Sequence, residues 1–170
     1  LGRCSVDFLR GLDDSKRLRR DQREDIAALL PRCAWVGFGA ASVAEIDRLN
    51  ILQATLLAMR RAVAALPCAP HHALIDGNRA PALSCPASAI IKGDARSLSI
   101  AAASIVAKVT RDRLLRQLAR EYPAYGWESN KGYGTSSHAA ALARHGITPH
   151  HRLSFGPVHR AKTQHIDLSL

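Results

Sequence analysis

Ala73-Leu74-Ile75-Asp76-Gly77-Asn78 and Ser88-Ala89-Ile90-Ile91-Lys92-Gly93-Asp94 are the two stretches of sequence that decide the fold. Each is a short apolar run that leads to an aspartate beside a glycine, a pattern typical of a strand ending in a turn. The carboxyl ends of neighbouring strands in an open α/β sheet border the crevice where ligands bind. Two carboxylates there are oxygen donors of the kind that Mg²⁺ and Mn²⁺ take. The alternative is that these aspartates only cap turns.

The sequence around these strands predicts helices. Ser42-Val43-Ala44-Glu45 matches a capping box. One helical apolar stripe follows it and ends at Pro67, with members Leu49, Leu52, Leu56, Met59, Val63 and Leu66. Other elements are expected over residues 15–30, 99–120 and 137–145 as helices, and over 34–39 as a strand. The order strand, helix, strand, strand, helix, helix predicts an α/β fold.

The composition is that of a folded globular chain. Its 170 residues fit a single domain over 1–170, and 47% hydrophobic with 22% charged residues excludes a disordered or fibrous protein. No apolar run is long enough to predict a membrane span. The four cysteines stand far apart without a C-x-x-C pair, so a zinc site is not expected. We expect them to be reduced thiols of a cytoplasmic protein.

The charge balance favours a polyanionic partner. Lys and Arg number 24 against 14 Asp and Glu, so the net charge is +10 at pH 7. A surplus of this size raises the local concentration of polyanions and speeds their encounter with the protein. Nucleic acid is the commonest such partner and an anionic membrane surface the second. The alternative is a basic surface that is merely solvated.

Several segments, in order along residues 11–160, resemble motifs of ribonuclease HII, the type 2 ribonuclease H. They are Gly11-Leu12-Asp13-Asp14-Ser15-Lys16-Arg17-Leu18, Leu74-Ile75-Asp76-Gly77-Asn78, Ile91-Lys92-Gly93-Asp94, Ala102–Asp112, Lys131-Gly132-Tyr133-Gly134-Thr135 and His150–Val158. One such match would be weak, whereas six in register are specific. The resemblance implies a ribonuclease H-like mixed sheet flanked by helices, with a helical C-terminal region.

The resemblance also implies an activity. Its family hydrolyses the RNA strand of RNA–DNA hybrids and cuts at ribonucleotides embedded in DNA, which is the first step of ribonucleotide excision in DNA repair. It is an endonuclease that uses four carboxylates with Mn²⁺ or Mg²⁺ and leaves 5′-phosphate ends. Asp76 and Asp94 correspond to the third and fourth carboxylates, as catalytic residues and metal ligands. We expect a monomer that binds a hybrid or a ribonucleotide-containing duplex and no membrane.

Substrate contacts follow from the same resemblance. Tyr133 matches the family tyrosine at the ribonucleotide-to-deoxyribonucleotide junction, where its ring can stack on a sugar and its hydroxyl lies near the 2′-OH. Lys16, Lys108 and Lys131 lie in or beside the motifs and are expected to meet phosphates. The alternatives are an ordinary loop aromatic and solvated lysines. The adjacent histidines 150 and 151 are not expected to share a metal ion, because neighbouring side chains diverge.

The sequence departs from the family in one respect. The first motif, Asp-Glu-x-Gly-Arg-Gly, which supplies the other two carboxylates, is not present, and Gly2-Arg3-Cys4 only faintly echoes its end. We therefore expect an N-terminally truncated chain in which the first two strands of the family sheet, ordered 3-2-1-4-5, are absent. Two carboxylates hold paired divalent ions poorly, so an incomplete, nearly inactive enzyme is predicted. The alternative is a catalytically inactive nucleic-acid-binding remnant.

Overall fold

The structure, a computed structural model, describes residues 4–13 and 15–167. Over this part of the chain two short consecutive strands are preceded and followed by helices. The strands are β1 (Ala73–Asp76) and β2 (Ala87–Ile90). The α-helices are α1 (Val6–Arg10), α2 (Arg20–Leu29), α3 (Val43–Leu49), α4 (Ile51–Ala64), α5 (Leu98–Glu121), α6 (Trp127–Asn130), α7 (Ser136–His145) and α8 (Gly156–Asp167). Single 3₁₀ turns occupy Leu30–Arg32, Gly93–Ala95 and Pro123–Tyr125.

The described residues form two compact units. The first comprises the described residues of 1–40 together with 55–110. The second comprises residues 41–54 together with the described residues from 111 onward. That residues 1–170 form one domain stays a prediction.

The sheet of the first unit consists of β1 and β2, which run parallel. The register pairs Ala73 with Ala87 at one end and Asp76 with Ile90 at the other. The backbone N–H of Gly77 donates to the carbonyl of Ile90 at 3.0 Å, so the pairing continues one residue beyond Asp76. The prediction for the first strand is confirmed, and the second strand begins one residue earlier than predicted. No further strand pairs with these two among the described residues.

The core of the first unit forms where α2 and the first half of α5 meet. Ile105 is fully enclosed, and Ile26 from α2 is buried with it. The apolar positions of α5 recur on one face, which is why the predicted helix over 99–120 is confirmed as Leu98–Glu121. The buried members of this cluster are Leu12, Ile26, Leu30, Ala102, Ile105, Val106 and Val109.

The predicted strand over 34–39 is wrong, because this segment has no strand structure. Its glycines lie directly against α4 instead. A Cβ added at Gly37 would overlap the carbonyl oxygen of Ala62, and one at Gly39 would overlap that of Ala58. Close backbone approach, and not a turn at the end of a strand, therefore explains both glycines.

The predicted single helix behind the capping box is interrupted at Asn50. The box itself is confirmed, since Ser42 Oγ accepts from the Glu45 N–H at 3.2 Å and Glu45 Oε2 accepts from the Ser42 N–H at 2.8 Å. Asn50 then has φ 69° and ψ 165°, outside helical space. Its Oδ1 accepts from the N–H groups of Leu52 and Gln53 at 3.0 and 3.1 Å and so begins α4. The apolar periodicity of the sequence continues through Asn50, although this residue ends α3 and caps α4.

The cysteine prediction needs a correction. Cys4 and Cys33 form a disulfide with their Cα atoms 5.0 Å apart, so the expectation of four reduced thiols is wrong for this pair. The two residues are distant in sequence, and spacing gave no indication of their pairing. Cys68 and Cys85 are free thiols. Within the described part of the chain, no helix has the length and hydrophobicity to cross a bilayer.

The second unit has a core rich in aromatic side chains. Tyr125 and Trp127 stack with ring centroids 5.3 Å apart. The helix predicted over 137–145 is confirmed as α7, and Gly146 follows it at φ 75° as its cap. Between α5 and α7 lie a 3₁₀ turn and α6, and α8 agrees with the helical C-terminal region that the family resemblance implied. The buried members of this core are Tyr125, Trp127, Ala141, Leu142, Val158 and Ala161.

Substitution of Asn50 separates its two roles. N50A removes the cap and keeps the unfavourable backbone, so we expect the free energy of unfolding to fall by about 1 kcal/mol. N50G loses the side-chain cap but relieves a conformation that costs about 1–3 kcal/mol in other residues, so it should be at least as stable as the wild type. Urea unfolding of the three proteins measures the difference. A larger loss for N50G than for N50A would contradict this view of residue 50.

Candidate active site

Asp76 is the last residue of β1, at the edge where both parallel strands end. Its carboxylate Oδ1 accepts a hydrogen bond from the backbone N–H of Gly93 at 2.8 Å. A Cβ added at Gly93 would lie 2.5 Å from Ile100 Cδ1 and 3.3 Å from Asp76 Oδ1. Residue 93 therefore has no room for a side chain unless its neighbours move. The turn that carries Asp94 is thus fastened directly to the Asp76 carboxylate.

Asp94 follows this glycine in the 3₁₀ turn after β2. Lys92 takes a left-handed conformation with φ 54°, which turns the chain sharply after the strand. The Asp94 Oδ1 accepts from the N–H of Ala95 at 3.0 Å. Asp94 is therefore a turn residue, although the sequence placed it at the end of the strand itself. Both carboxylates still belong to the C-terminal edge of the same two-stranded sheet.

The donor chemistry of this edge suits a hard divalent cation. Asp76 is exposed and Asp94 half-buried, so their oxygens can be reached from solvent. Carboxylate oxygens are the protein ligands that Mg²⁺ and Mn²⁺ take most readily. Among the described residues, no group of three or more His, Cys, Asp or Glu side chains is placed to hold a metal ion. The type of donor therefore fits, and the number falls short of the four carboxylates that the family resemblance implies.

Tyr133 lies in the second unit, in a segment that we call the tyrosine loop (residues 130–135). Its backbone N–H donates to the Asn130 carbonyl at 2.9 Å, and its own carbonyl accepts from the Thr135 N–H at 2.9 Å. His138 Nδ1 lies 3.0 Å from the same carbonyl oxygen. The side chain of Tyr133 is 68% exposed. The backbone of Tyr133 is thus held on both sides while its ring faces solvent.

The rest of the tyrosine loop is fixed by Asn130 and Arg111. Asn130 is buried, and its side chain donates to the Tyr125 carbonyl at 2.7 Å and accepts from the Gly132 N–H at 2.8 Å. Arg111 donates to the Lys131 carbonyl at 2.9 Å. Lys131 and Gly132 both have positive φ, 51° and 78°, which glycine adopts at no steric cost. The loop is a tight turn with defined backbone partners.

The three lysines predicted to meet phosphates have different surroundings. Lys131 belongs to the tyrosine loop, and its ammonium donates to the Glu128 carbonyl. Lys16 is exposed and lies between α1 and α2. Lys108 is half-buried on α5. Lys16 and Lys108 belong to the first unit and Lys131 to the second. Their contact with phosphate stays a prediction.

A buried histidine pair lies beneath the tyrosine loop. The Nε2 atoms of His138 and His151 are 3.1 Å apart, and the two residues are only 2% and 5% exposed. Burial and the neighbouring His138 lower the pKa of His151 from 6.5 to about 4. His150 is exposed, so the adjacent histidines do diverge as expected. The sequence gave no indication that His138 and His151 meet.

Asp47 is a second functional candidate that the sequence did not single out. Its carboxylate accepts from the N–H groups of Leu153 and Ser154, each at 2.9 Å, and from the Ser154 hydroxyl at 2.6 Å. Partial burial opposes ionisation, yet these hydrogen bonds hold the pKa of Asp47 below its ordinary value. Asp47 therefore anchors the segment 150–158 that resembles a family motif. Only the capping box nearby marked this region in the sequence.

Comparisons with known proteins agree with this architecture. The sequence model of the family described as ribonuclease HII matches residues 7–158. A ribonuclease HII of Paramagnetospirillum magneticum is 60% identical over 151 residues, covering 89% of this chain and 75% of that protein. A ribonuclease HII of Rhodospirillum rubrum is 57% identical over 162 residues, covering 94% of this chain and 74% of the relative.

A solved structure supports the fold independently. The ribonuclease H2 of Pyrococcus horikoshii OT3 superposes with a TM-score of 0.70, at 23% identity, over 94% of this chain and 85% of that one. The predicted ribonuclease H-like α/β fold is thereby confirmed.

The buried histidine pair predicts an acid-sensitive stability. Because His151 has a folded pKa of about 4 and an ordinary value of 6.5, the unfolded chain binds a proton in this window and the folded chain does not. The free energy of unfolding should therefore be highest above about pH 6.5 and should fall by roughly 2–3 kcal/mol as the pH is lowered to 4.

Urea unfolding between pH 7 and pH 4 measures this component. H151Q removes the titrating group, so its stability should fall less steeply with pH than that of the wild type. H71Q, at an exposed histidine, is the matched control and should follow the wild-type slope. Equal slopes for H151Q and the wild type would show that His151 does not stay neutral in the folded chain.

Proposed function

This chain belongs to the ribonuclease HII family, and we propose that it is an endonuclease acting both on hybrid RNA strands and on ribonucleotides embedded in DNA. By family it is a ribonuclease H, a hydrolase. The family acts on RNA–DNA hybrids and generally depends on divalent metal.

We propose that Asp76 and Asp94 are the metal ligands and catalytic carboxylates. The observation that supports this most is the hydrogen bond from the Gly93 N–H to Asp76, which ties the Asp94 turn to the end of β1. Mg²⁺ or Mn²⁺ bound there would activate the attacking water and stabilise the leaving oxygen. The two carboxylates would supply the negative charge that holds the ion beside the scissile phosphate. Hydrolysis of this kind leaves 5′-phosphate and 3′-hydroxyl ends.

Tyr133 is proposed to recognise the ribonucleotide. Its exposed ring offers a flat apolar face to a sugar, and its hydroxyl can exchange a hydrogen bond with the 2′-OH, the group that distinguishes RNA from DNA. Lys16, Lys108 and Lys131 would add contacts to phosphates, which position a duplex without reading its sequence. The net charge of +10 supports the same kind of partner.

We propose further that the 170-residue chain by itself cuts slowly or not at all. Two carboxylates neutralise only half of the charge on two divalent ions, and the printed sequence contains no Asp-Glu-x-Gly-Arg-Gly motif to supply the other half. The absence of a larger ligand group among the described residues favours the second candidate, an inactive nucleic-acid-binding protein. A cytoplasmic monomer fits either function.

A cleavage experiment tests the carboxylates. The substrate is a DNA duplex with one embedded ribonucleotide, with the protein in excess and Mn²⁺ or Mg²⁺ present. We expect the chain to bind the duplex and to cut it weakly. A second protein, in which a family segment carrying the Asp-Glu-x-Gly-Arg-Gly motif is joined to the chain, should cut at the ribonucleotide.

D76N and D94N in the joined protein should each slow cleavage by at least about 100-fold, since even residues that only support a metal ligand are worth about 10–100-fold. D25N, which removes a charge from the exposed face of α2, is the matched control and should cut as the parent does. Full cleavage by D76N and D94N would exclude the proposed ligands. A joined protein that binds without cutting would favour the inactive alternative.

A further inference from the structure

The hydrogen bonds of the buried histidine pair determine which ring nitrogens carry protons. The backbone N–H of Thr148 donates to Nδ1 of His151 at 3.0 Å. A backbone N–H can only donate, so this Nδ1 is unprotonated and a neutral His151 carries its proton on Nε2. Nε2 of His138, 3.1 Å away, then accepts that proton. His138 therefore carries its own proton on Nδ1.

The chain of hydrogen bonds ends on the tyrosine loop. Nδ1–H of His138 donates to the carbonyl oxygen of Tyr133 at 3.0 Å. One amide, that of Thr148, thus sets the tautomer of two imidazoles in succession and aims the last N–H at the residue whose ring is exposed. A second proton on His138 would place its Nε2–H against that of His151 across 3.1 Å, and a second proton on His151 would place its Nδ1–H against the N–H of Thr148 across 3.0 Å. The arrangement exists only while both rings are neutral.

We propose that His138 is a positioning residue for ribonucleotide recognition: its Nδ1–H, oriented by His151, holds the carbonyl of Tyr133 and so aims the tyrosine ring at the sugar. This inference rests on the proposed role of Tyr133. The Tyr133 backbone has only two other hydrogen bonds, to Asn130 and Thr135 within the same loop. The N–H of Tyr133 is thus held by buried Asn130 at the end of α6, and its carbonyl is held by buried His138 of α7, so the His138 bond helps to fix where the ring projects.

The surroundings of the pair make it sensitive to acid. The titratable groups that face it are His150, which disfavours a further positive charge, and Tyr125, whose ring lies 4.8 Å from that of His151. Burial raises the pKa of Tyr125, and its hydroxyl donates to the carbonyls of His145 and Gly146. Burial, His138 and His150 all lower the pKa of His151, so a proton taken up by the pair is disfavoured. Acid should therefore release the Tyr133 carbonyl.

Two uncharged substitutions distinguish the two hydrogen bonds of His138, one to the Tyr133 carbonyl and one to His151. In H138N the amide nitrogen stands near the place of Nδ1 and can still donate to Tyr133. In H138Q the amide group stands near the place of Nε2, so it can bond to His151 and no longer reaches the Tyr133 carbonyl. H138N should retain part of the hydrogen bond to the Tyr133 carbonyl, and H138Q should lose it. A purely structural role would make both variants equally defective.

Nitrogen-15 NMR of the histidine rings tests the arrangement without any substrate. At pH 7 we expect an Nδ1–H tautomer for His138 and an Nε2–H tautomer for His151. The amide resonance of Gly134, which follows the Tyr133 carbonyl, should move in H138Q more than in H138N, and should move in the wild type as the pair is protonated. The opposite tautomers, or a Gly134 resonance indifferent to H138Q, would overturn the inference even in a fully folded chain.

Binding of two duplexes tests the consequence. The probes are a DNA duplex with one ribonucleotide and its all-deoxy counterpart, and the readout is the ratio of their dissociation constants. We expect H138Q to lose roughly 2- to 10-fold of the wild-type preference, the range of one uncharged hydrogen bond, with unchanged affinity for the all-deoxy duplex. H138N should retain most of it. Lowering the pH from 7 to 4, where His151 takes up a proton, should reduce the preference of the wild type.

The failures of the two proposals are distinguishable. A wild-type chain without preference, and indifferent to Y133A, overturns the proposed role of Tyr133 and with it this inference. If Y133A loses the preference for the ribonucleotide-containing duplex and H138Q keeps it, the role of His138 is overturned and that of Tyr133 stands.

Discussion

The parallel pairing of β1 with β2 is the constraint on which the candidate active site depends. Its register brings the carboxyl ends of both strands to one edge, and the Gly93 N–H then binds the Asp76 carboxylate at 2.8 Å. A buried glycine is needed there because a side chain would meet Ile100 and Asp76 itself. Local packing thus fastens the turn that carries Asp94 to the aspartate that ends β1.

The tyrosine loop shows the complementary principle, in which the backbone is held and the ring is left to solvent. Asn130 and His138 are buried; the Asn130 side chain bonds to main-chain groups, and His138 bonds to the Tyr133 carbonyl through Nδ1 and to His151 through Nε2. Buried polar groups are costly unless satisfied, so such a network specifies one loop conformation. His151 stays neutral for the same reason, because a charge buried among these rings would be costly.

Sequence patterns predicted the elements whose periodicity agrees with their packing. Helix α5, helix α7 and strand β1 are of this kind. The pattern over 34–39 failed because its glycines serve close contact with α4, which is a tertiary cause. The prediction of one continuous helix behind the capping box failed because the Asn50 side chain caps a new helix within the apolar stripe. Of the site, Asp76, Asp94 and Tyr133 were identified through family resemblance, whereas His138 meets His151 only in the folded chain.

The proposed function requires Asp76 and Asp94 to hold a divalent ion together, and Mn²⁺ titration of the ¹⁵N-labelled chain tests that requirement most directly. Bound Mn²⁺ broadens the resonances of amides close to it. The account predicts that Gly77, Gly93 and Ala95 broaden first, and that D76N and D94N each abolish this effect while D25N preserves it. Broadening that begins elsewhere in the chain, or that survives both substitutions, would contradict a metal site at this sheet edge.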